Sequence, residues 1–312
     1  FKCMDVAIVK VENLYHRYSS QWAIQDISFE INQTGVLGLL GSNGAGKSTT
    51  MNIMCGVLKQ TKGEVYINGV SLRDNPVEAK KHIGFLPQKP PLHMDLNVDE
   101  YLTHCAYLRS VDPKNIKAAV EKAKDKCGIM HFSKRLVRNL SGGYQQRLGI
   151  AQAIVHDPKF VVLDEPTNGL DPNQIVEIRN LVKEIAEDRA VMLSTHILPE
   201  VQMTCDQIRM IESGHMVFAG TMDEFNNYIK PDSLVVLMDA PPSENELRAI
   251  PGIVSVENLT NKRFRLHFDT MDAISERVIE ASVANGWHLQ EINMEKSSLD
   301  VIFAKLSGKK IN

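Results

Sequence analysis

The run Gly41-Ser42-Asn43-Gly44-Ala45-Gly46-Lys47-Ser48-Thr49 lies between an apolar stretch, 36–40, and a helix-compatible stretch, 50–58. A strand, a glycine-rich loop and a helix in that order match the P-loop both in residues and in setting. Glycine serves there because the backbone must wrap close to phosphate oxygens and present its N–H groups, which side chains would obstruct. The helix that follows aims its positive dipole end at the same anion. Lys47 is placed to meet the β and γ phosphates as a mobile point charge, and Ser48 to offer its hydroxyl to Mg²⁺. Nucleotide binding is therefore the first expectation, with Gly41, Asn43, Gly44, Gly46, Lys47, Ser48 and Thr49 as the candidate ligands.

The chain has 312 residues, enough for two domains of ordinary size, and 43% of them are hydrophobic, enough for real cores. A formal net charge of -3 lacks the basic footprint of a nucleic-acid binder, so no direct nucleic-acid binding is expected. Five cysteines, Cys3, Cys55, Cys105, Cys127 and Cys205, are scattered without CxxC spacing. They read as buried or idle thiols in a reducing compartment. No stretch approaches the roughly 18 to 20 uncharged apolar residues of a membrane span, and no charged-then-apolar leader is visible. A soluble, cytosolic chain is the resulting expectation. It opens on Phe1, and Met4 is a candidate initiator.

Alternation of apolar and polar residues predicts half-buried strands over 6–13, 23–31 and 64–70, an antiparallel edge beside the glycine loop. Short, strongly apolar runs at 159–163 and 190–194 read as central parallel strands buried on both faces, separated by a helix over 175–187. Between Pro90 and Asp157 the spacing turns helical and charged, with helices expected over 98–109 and 115–127. A hairpin is expected at Ser213-Gly214. Beyond Tyr228 the segment 229–233 has linker composition. The remainder predicts strand 234–238, helix 244–250, strands 254–259 and 263–268, helix 273–284 and strand 287–294, the β-α-β-β-α-β order of a ferredoxin-like sandwich, with a last helix over 299–306.

The strand ending in Val161-Val162-Leu163-Asp164-Glu165 places two carboxylates at its exit. Strand alternation predicts that they point to different sides and hold different jobs: Asp164 in the Mg²⁺ shell beside Ser48, Glu165 taking a proton from an attacking water. An isolated acidic pair at a strand end reads equally as a solvated turn. This pair is not isolated. Residues 6–228 resemble the nucleotide-binding subunits of ABC transporters, with the motifs in that family's order: the P-loop, Gln88 in IGFLPQ, LSGGYQQR from Leu140 to Arg147, VVLDEP from Val161, NGLDP from Asn168 to Pro172, and STH ending at His196.

The resemblance implies an α/β fold: a P-loop NTPase (RecA-like) core with an antiparallel β edge and a helical subdomain, about 90–157, within residues 1–228. A small C-terminal α/β (ferredoxin-like) accessory domain over 234–312 would follow. It implies Tyr18 stacked on adenine, a strand-edge core tyrosine being the alternative. Gln88 would touch Mg²⁺ and the attacking water and link the site to the helical insertion. Asp171 would bridge two protomers. His196 would hydrogen-bond the departing γ-phosphate, unless it is a structural histidine. Ser141, Gly142 and Gly143 lie where a helix starts, Ser141 as a plausible N-cap and the glycines baring N–H groups. In the family this second anion site completes the ATP site of the opposite subunit. Tyr144 departs from the glutamine usual at that position, which leaves ribose contact open.

Among ABC functions, the interval from Lys47 to Asp164 holds a compact helical subdomain, not the long coiled coil of chromosome or repair ATPases. A single P-loop and a single signature argue against the tandem translation-type members. The expected function is thus the ATP-hydrolysing subunit of an ABC transporter, binding ATP and Mg²⁺, pairing with a second ATPase subunit and docking on separate transmembrane permease subunits. Export is the expected direction, with an importer ATPase or a non-transport ABC ATPase as alternatives. The expected location is cytoplasmic, peripheral on the inner face of the cell membrane. Docking is expected near Gln88 and the segment 89–102, a loop entering a helix with Asp95 or Asn97 as its cap.

Overall fold

The computed structural model of the chain describes residues 6–195, 197–269, 271, 273–295 and 299–308. They form two compact units, one running to Met222 and the other from Asp223 to Lys305. In chain order the first unit contains β1 (Val9–Tyr18), β2 (Gln21–Ile31), β3 (Gly35–Leu40), α1 (Lys47–Met54), β4 (Lys62–Ile67), β5 (Val70–Ser71), α2 (Pro76–Lys81), β6 (Ile83–Leu86), α3 (Val98–Leu108), α4 (Ile116–Lys126) and α5 (Gly142–Ile154). It continues through β7 (Phe160–Asp164), α6 (Pro172–Ala186), β8 (Ala190–Ser194), α7 (Leu198–Thr204), β9 (Gln207–Glu212) and β10 (His215–Thr221).

Six strands form the main sheet in the order β10-β9-β3-β8-β7-β6, parallel except for the β9–β10 hairpin. Every residue of β8 and the first four of β7 are buried. That explains why these strands read as unbroken apolar runs: helices and a second sheet cover both faces. The second sheet, β2-β1-β4-β5, is antiparallel throughout. One continuous apolar core, including Leu14, Ile24, Ile53, Met54, Ile67, Phe160 and Met192, joins it to α1 and the parallel strands. Each such fully buried aliphatic side chain contributes about 1.5–3 kcal/mol.

Local chemistry accounts for most departures from the expected boundaries. β1 runs past Asn13 to Tyr18 because a bulge resets the alternation: Asn13 has φ 45°, the pairing with β2 shifts between Val11 and Leu14, and the Asn13 amide donates to Asp26. α6 begins at Pro172, earlier than its apolar periodicity suggests, because the Asp171 carboxylate accepts the N–H groups of Asn173 and Gln174. Asn97, not Asp95, caps α3, through a reciprocal capping box with Glu100, while Asp95 pairs with Arg138. Four of the cysteines are buried and free, and burial pushes the Cys127 and Cys205 thiols up to about 12. Cys3 and Met4 lie outside the described residues.

After α8 (Met222–Asn226), the second unit contains β11 (Ser233–Met238), α9 (Glu244–Arg248), β12 (Ile253–Thr260), β13 (Arg263–Phe268), α10 (Ile274–Asn285), β14 (Leu289–Met294) and α11 (Leu299–Leu306). Its sheet is antiparallel with the order β12-β13-β11-β14, the ferredoxin-like arrangement. Leu234, Val236 and Met238 point inward at alternate positions and pack with Leu247, Phe264, Leu266, Ile274 and Val278. Trp287, expected to open the last strand, precedes it and is buried in that core.

Candidate functional site

The glycine loop leaves the C-terminal end of β3, in the middle of the main sheet, where open parallel sheets present their crevice. Its glycines answer to different demands. A Cβ at Gly41 (φ +151°) would lie 2.1 Å from the Ile211 carbonyl oxygen, and one at Gly46 (φ +112°) 2.5 Å from the Ile24 side chain. Both positions are dictated by what packs behind the loop. A Cβ at Gly44 (φ +82°) would meet nothing, so there the left-handed backbone is the requirement. The loop is tied down on its outer side as well. Ser42 donates from its hydroxyl and backbone N–H to Glu212 at 2.6 and 3.2 Å, and Gly214 N–H donates to the Ala45 carbonyl at 3.0 Å.

Lys47 is only 9% exposed and donates from Nζ to the carbonyls of Gly41 and Ser42 at 2.7 and 3.1 Å. Burial holds its pKa below the usual lysine value, and the carboxylates of Glu165, Asp164 and Glu212 act against that fall. A desolvated cation held by neutral carbonyls is poised to exchange them for an anion.

The loop forms one wall of a cleft of about 460 Å³. Tyr18, Asn43, Gly44, Gly46, Lys47, Ser48, Thr49, Gln88, Asp164 and Glu165 line it together, joined by Gln21, Trp22 and Ala23. Tyr18 stands at the end of β1, 53% exposed, so it is no core tyrosine. β7 ends at Asp164, and the next residue leaves the strand: Glu165 has φ 48°. The left-handed turn, not strand alternation, gives the two carboxylates different partners. Asp164 accepts from the Ser194 hydroxyl at the end of β8. Glu165 accepts from Gln88 Nε2 at 3.1 Å and Asn168 Nδ2 at 3.4 Å. Its own N–H donates to the Ser194 carbonyl at 3.1 Å.

The donor chemistry of the cleft fits a hard divalent cation. Ser48 brings a hydroxyl, Asp164 a carboxylate and Gln88 an amide oxygen, its Nε2 being turned to Glu165. No group of three or more His, Cys, Asp or Glu side chains suited to a metal occurs among the described residues. One or two carboxylates plus substrate phosphates is how Mg²⁺ is usually held.

Ser141, Gly142, Gly143 and Asp171 line no part of that cleft. Ser141 occupies the N-cap position of α5 without a side-chain cap bond, and it and Gly142 are exposed. The first-turn N–H groups have no intrahelical acceptor, and a Cβ at Gly142 would meet nothing within 4 Å. Gly143 faces inward, where a Cβ would come within 2.7 Å of the Gln174 side chain. The Tyr144 ring packs edge-on against Phe132, centroids 4.5 Å apart, which roots the start of α5 in the short 3₁₀ turn Met130–Phe132. His196 lies outside the described residues.

A larger cleft, about 570 Å³, is lined by Ala118, Ala119, Val155 and Ile185 with Arg109 and Arg189, and contains no part of the glycine loop. Sequence reading missed Trp22, Glu212 and Ser194. Ser194 stands inside the STH motif, of which only the histidine carries an expected role; Trp22 sits across the tight β1–β2 turn from Tyr18, and Glu212 reaches the loop by long-range pairing, which leaves no local signature.

The family model described as "ABC transporter" matches residues 24–168, and one described as "AAA domain, putative AbiEii toxin, Type IV TA system" matches 134–203. The bacitracin transport ATP-binding protein BcrA of Bacillus licheniformis is 31% identical over 96% of this chain and 97% of its own length. The linearmycin resistance ATP-binding protein LnrL of Bacillus subtilis is 27% identical over 97% of this chain and 99% of its own. Among solved structures, cbiO1 from Clostridium perfringens, part of the ABC transporter complex cbiONQ, is 30% identical, with a TM-score of 0.64 over 70% of this chain and 90% of that one. A phosphate loop, an acidic strand exit and a glutamine gathered in one cleft agree with these likenesses: the chain belongs to the ABC transporter ATP-binding family and is an ATP-binding ATPase subunit.

Proposed function

We propose that this subunit powers an exporter. It acts as a head-to-tail dimer, peripheral on the cytoplasmic face of the membrane and seated on separate transmembrane subunits. The observation that carries the dimer is a division of parts: the P-loop, Gln88, Asp164 and Glu165 share one cleft, whereas Ser141 and Gly142 offer exposed N–H groups elsewhere. Two copies facing each other would bring the second set onto the first copy's triphosphate, so ATP joins the copies and its cleavage releases them. Gly41, Asn43, Gly44, Gly46 and Thr49 shape the phosphate cradle, Lys47 pairs with the β and γ phosphates, and Tyr18 stacks on the base. Ser48, Gln88 and Asp164 would hold Mg²⁺, which supplies charge neutralisation at the phosphates. Glu165 accepts the proton of the attacking water, His196 stabilises the leaving phosphate, and Asp171 lies at the dimer seam. The second unit serves as an accessory domain.

No helix among the described residues is long and apolar enough to cross a membrane, which supports assigning the pore to separate subunits. Export is supported by the relatives that match nearly the whole chain, which are named for bacitracin transport and linearmycin resistance. The cbiO1 likeness spans 70% of the chain and does not choose a direction. Purification of the tagged chain from its own membranes tests the reading. A co-purifying multispanning protein is expected; ribosomes or chromosomal DNA in its place would contradict it.

A further inference from the structure

Glu200, on α7, is the only buried acidic side chain among the described residues, at 5% exposure. Its partners are hydroxyls, not cations. Thr167 Oγ1 donates to Glu200 Oε2 at 2.8 Å, and Thr195 Oγ1 donates to the same oxygen at 3.2 Å. Both threonines are themselves buried, at 6% and 2% exposure. Neither occupies an ordinary place. Thr167 belongs to the turn after β7, two residues past Glu165, where Asn168 N–H donates back to the Glu165 carbonyl at 3.1 Å. Thr195 follows Ser194, whose hydroxyl reaches Asp164 and whose carbonyl receives the Glu165 N–H. Thr195 Oγ1 also accepts from the N–H of Ile197, the N-cap residue of α7, at 3.1 Å.

One oxygen thus ties the turn that carries Glu165 to the residue that follows β8. The tie matters because Glu165 holds a left-handed backbone, φ 48°, that only surrounding bonds can maintain in a residue with a side chain. We propose that Glu200 is a positioning residue for ATP hydrolysis: through Thr167 and Thr195 it clamps the turn carrying Glu165 against the end of β8, without touching nucleotide. The inference rests on the assignment of Glu165 as the base. Because both hydroxyls converge on Oε2, a glutamine, whose amide oxygen can accept both, should substitute, and alanine should not.

The test uses the full chain with MgATP, measuring kcat, KM, affinity for a fluorescent ATP analogue and thermal midpoint for Glu200→Ala, Glu200→Gln, Thr195→Val and Glu165→Gln. A displaced base predicts that Glu200→Ala loses about 10- to 100-fold in kcat, while nucleotide affinity stays within about twofold. Glu200→Gln should recover most of the loss, and Thr195→Val should fall between them. If Glu200→Ala does not fold, the kcat-to-affinity split in Thr195→Val decides the matter alone. Unchanged kcat, equal loss of kcat and affinity, or a glutamine variant as slow as the alanine one would overturn the proposal. Wild-type turnover in Glu165→Gln would overturn the base assignment itself. A slow Glu165→Gln beside a normal Glu200→Ala would sink only the role of Glu200.

Discussion

The two units solve the problem of buried polar groups in opposite ways. In the first, Lys47, Thr167, Ser194 and Glu200 are buried near the exits of parallel strands, and their partners are carbonyls, hydroxyls and the Asp164 carboxylate. In the second, the core is apolar and the charges stay at the surface, as in Arg265 with Glu257 and Glu295, and Lys262 with Asp239. Among its described residues the buried polar side chains are Ser233, which donates to Glu295, and Ser282, which accepts from Leu289 N–H. A protein accepts buried polar groups at a cost, so where they cluster with left-handed backbone they mark the working end.

That contrast breaks most visibly at Lys47. Lys47→Ala removes the charge meant for the phosphates, and ATP turnover should vanish in a phosphate-release assay; normal activity would reject the loop as the site. Glu165→Gln keeps an acceptor but loses the proposed base, so hydrolysis should slow by about 100-fold or more. With MgATP this variant should run as a dimer on gel filtration, and a persistent monomer would speak against ATP joining two copies. Gly142→Asp sets a negative side chain where the exposed N–H groups point. Turnover should fall by about tenfold or more, with ATP affinity of the single copy retained by equilibrium dialysis.

Changes in the second unit sharpen the comparison from the other side. Leu266→Ala empties a fully buried position and should cost that unit about 2–5 kcal/mol in denaturant unfolding. The smallest effect is expected from Ser243→Ala, which removes the cap of α9 and should cost about 1 kcal/mol. In both variants ATP affinity should stay at the wild-type value by titration; a shift would mean that the second unit shapes the nucleotide cleft.

What could be read in the sequence was whatever chemistry writes locally. The loop from Gly41 to Thr49 demands consecutive residue types, and the apolar runs of β7 and β8 announce burial on both faces, so both were legible. The Ser213-Gly214 hairpin was legible for the same reason, a turn that needs positive φ. The bulge at Asn13 was not, because it interrupts the very alternation used to detect strands. Nor were Glu212 and Glu200, whose partners Ser42 and Thr167 lie far away in the chain and meet them only after the sheet has formed. Tyr144 stood out as a departure in the motif, but only packing against Phe132 gives it a reason.

The central claim, that the P-loop of one copy and the Ser141-Gly142 turn of another enclose the same triphosphate, is most directly tested by mixing two disabled chains. Lys47→Ala and Gly142→Asp, each also carrying Glu165→Gln to stop hydrolysis, are labelled with a donor and an acceptor dye. A head-to-tail pair of unlike copies regains one complete site, with an intact loop from the second variant and an intact turn from the first. Energy transfer should therefore rise with MgATP in the mixture and in neither variant labelled and tested alone. No ATP-dependent transfer in the mixture would contradict the account.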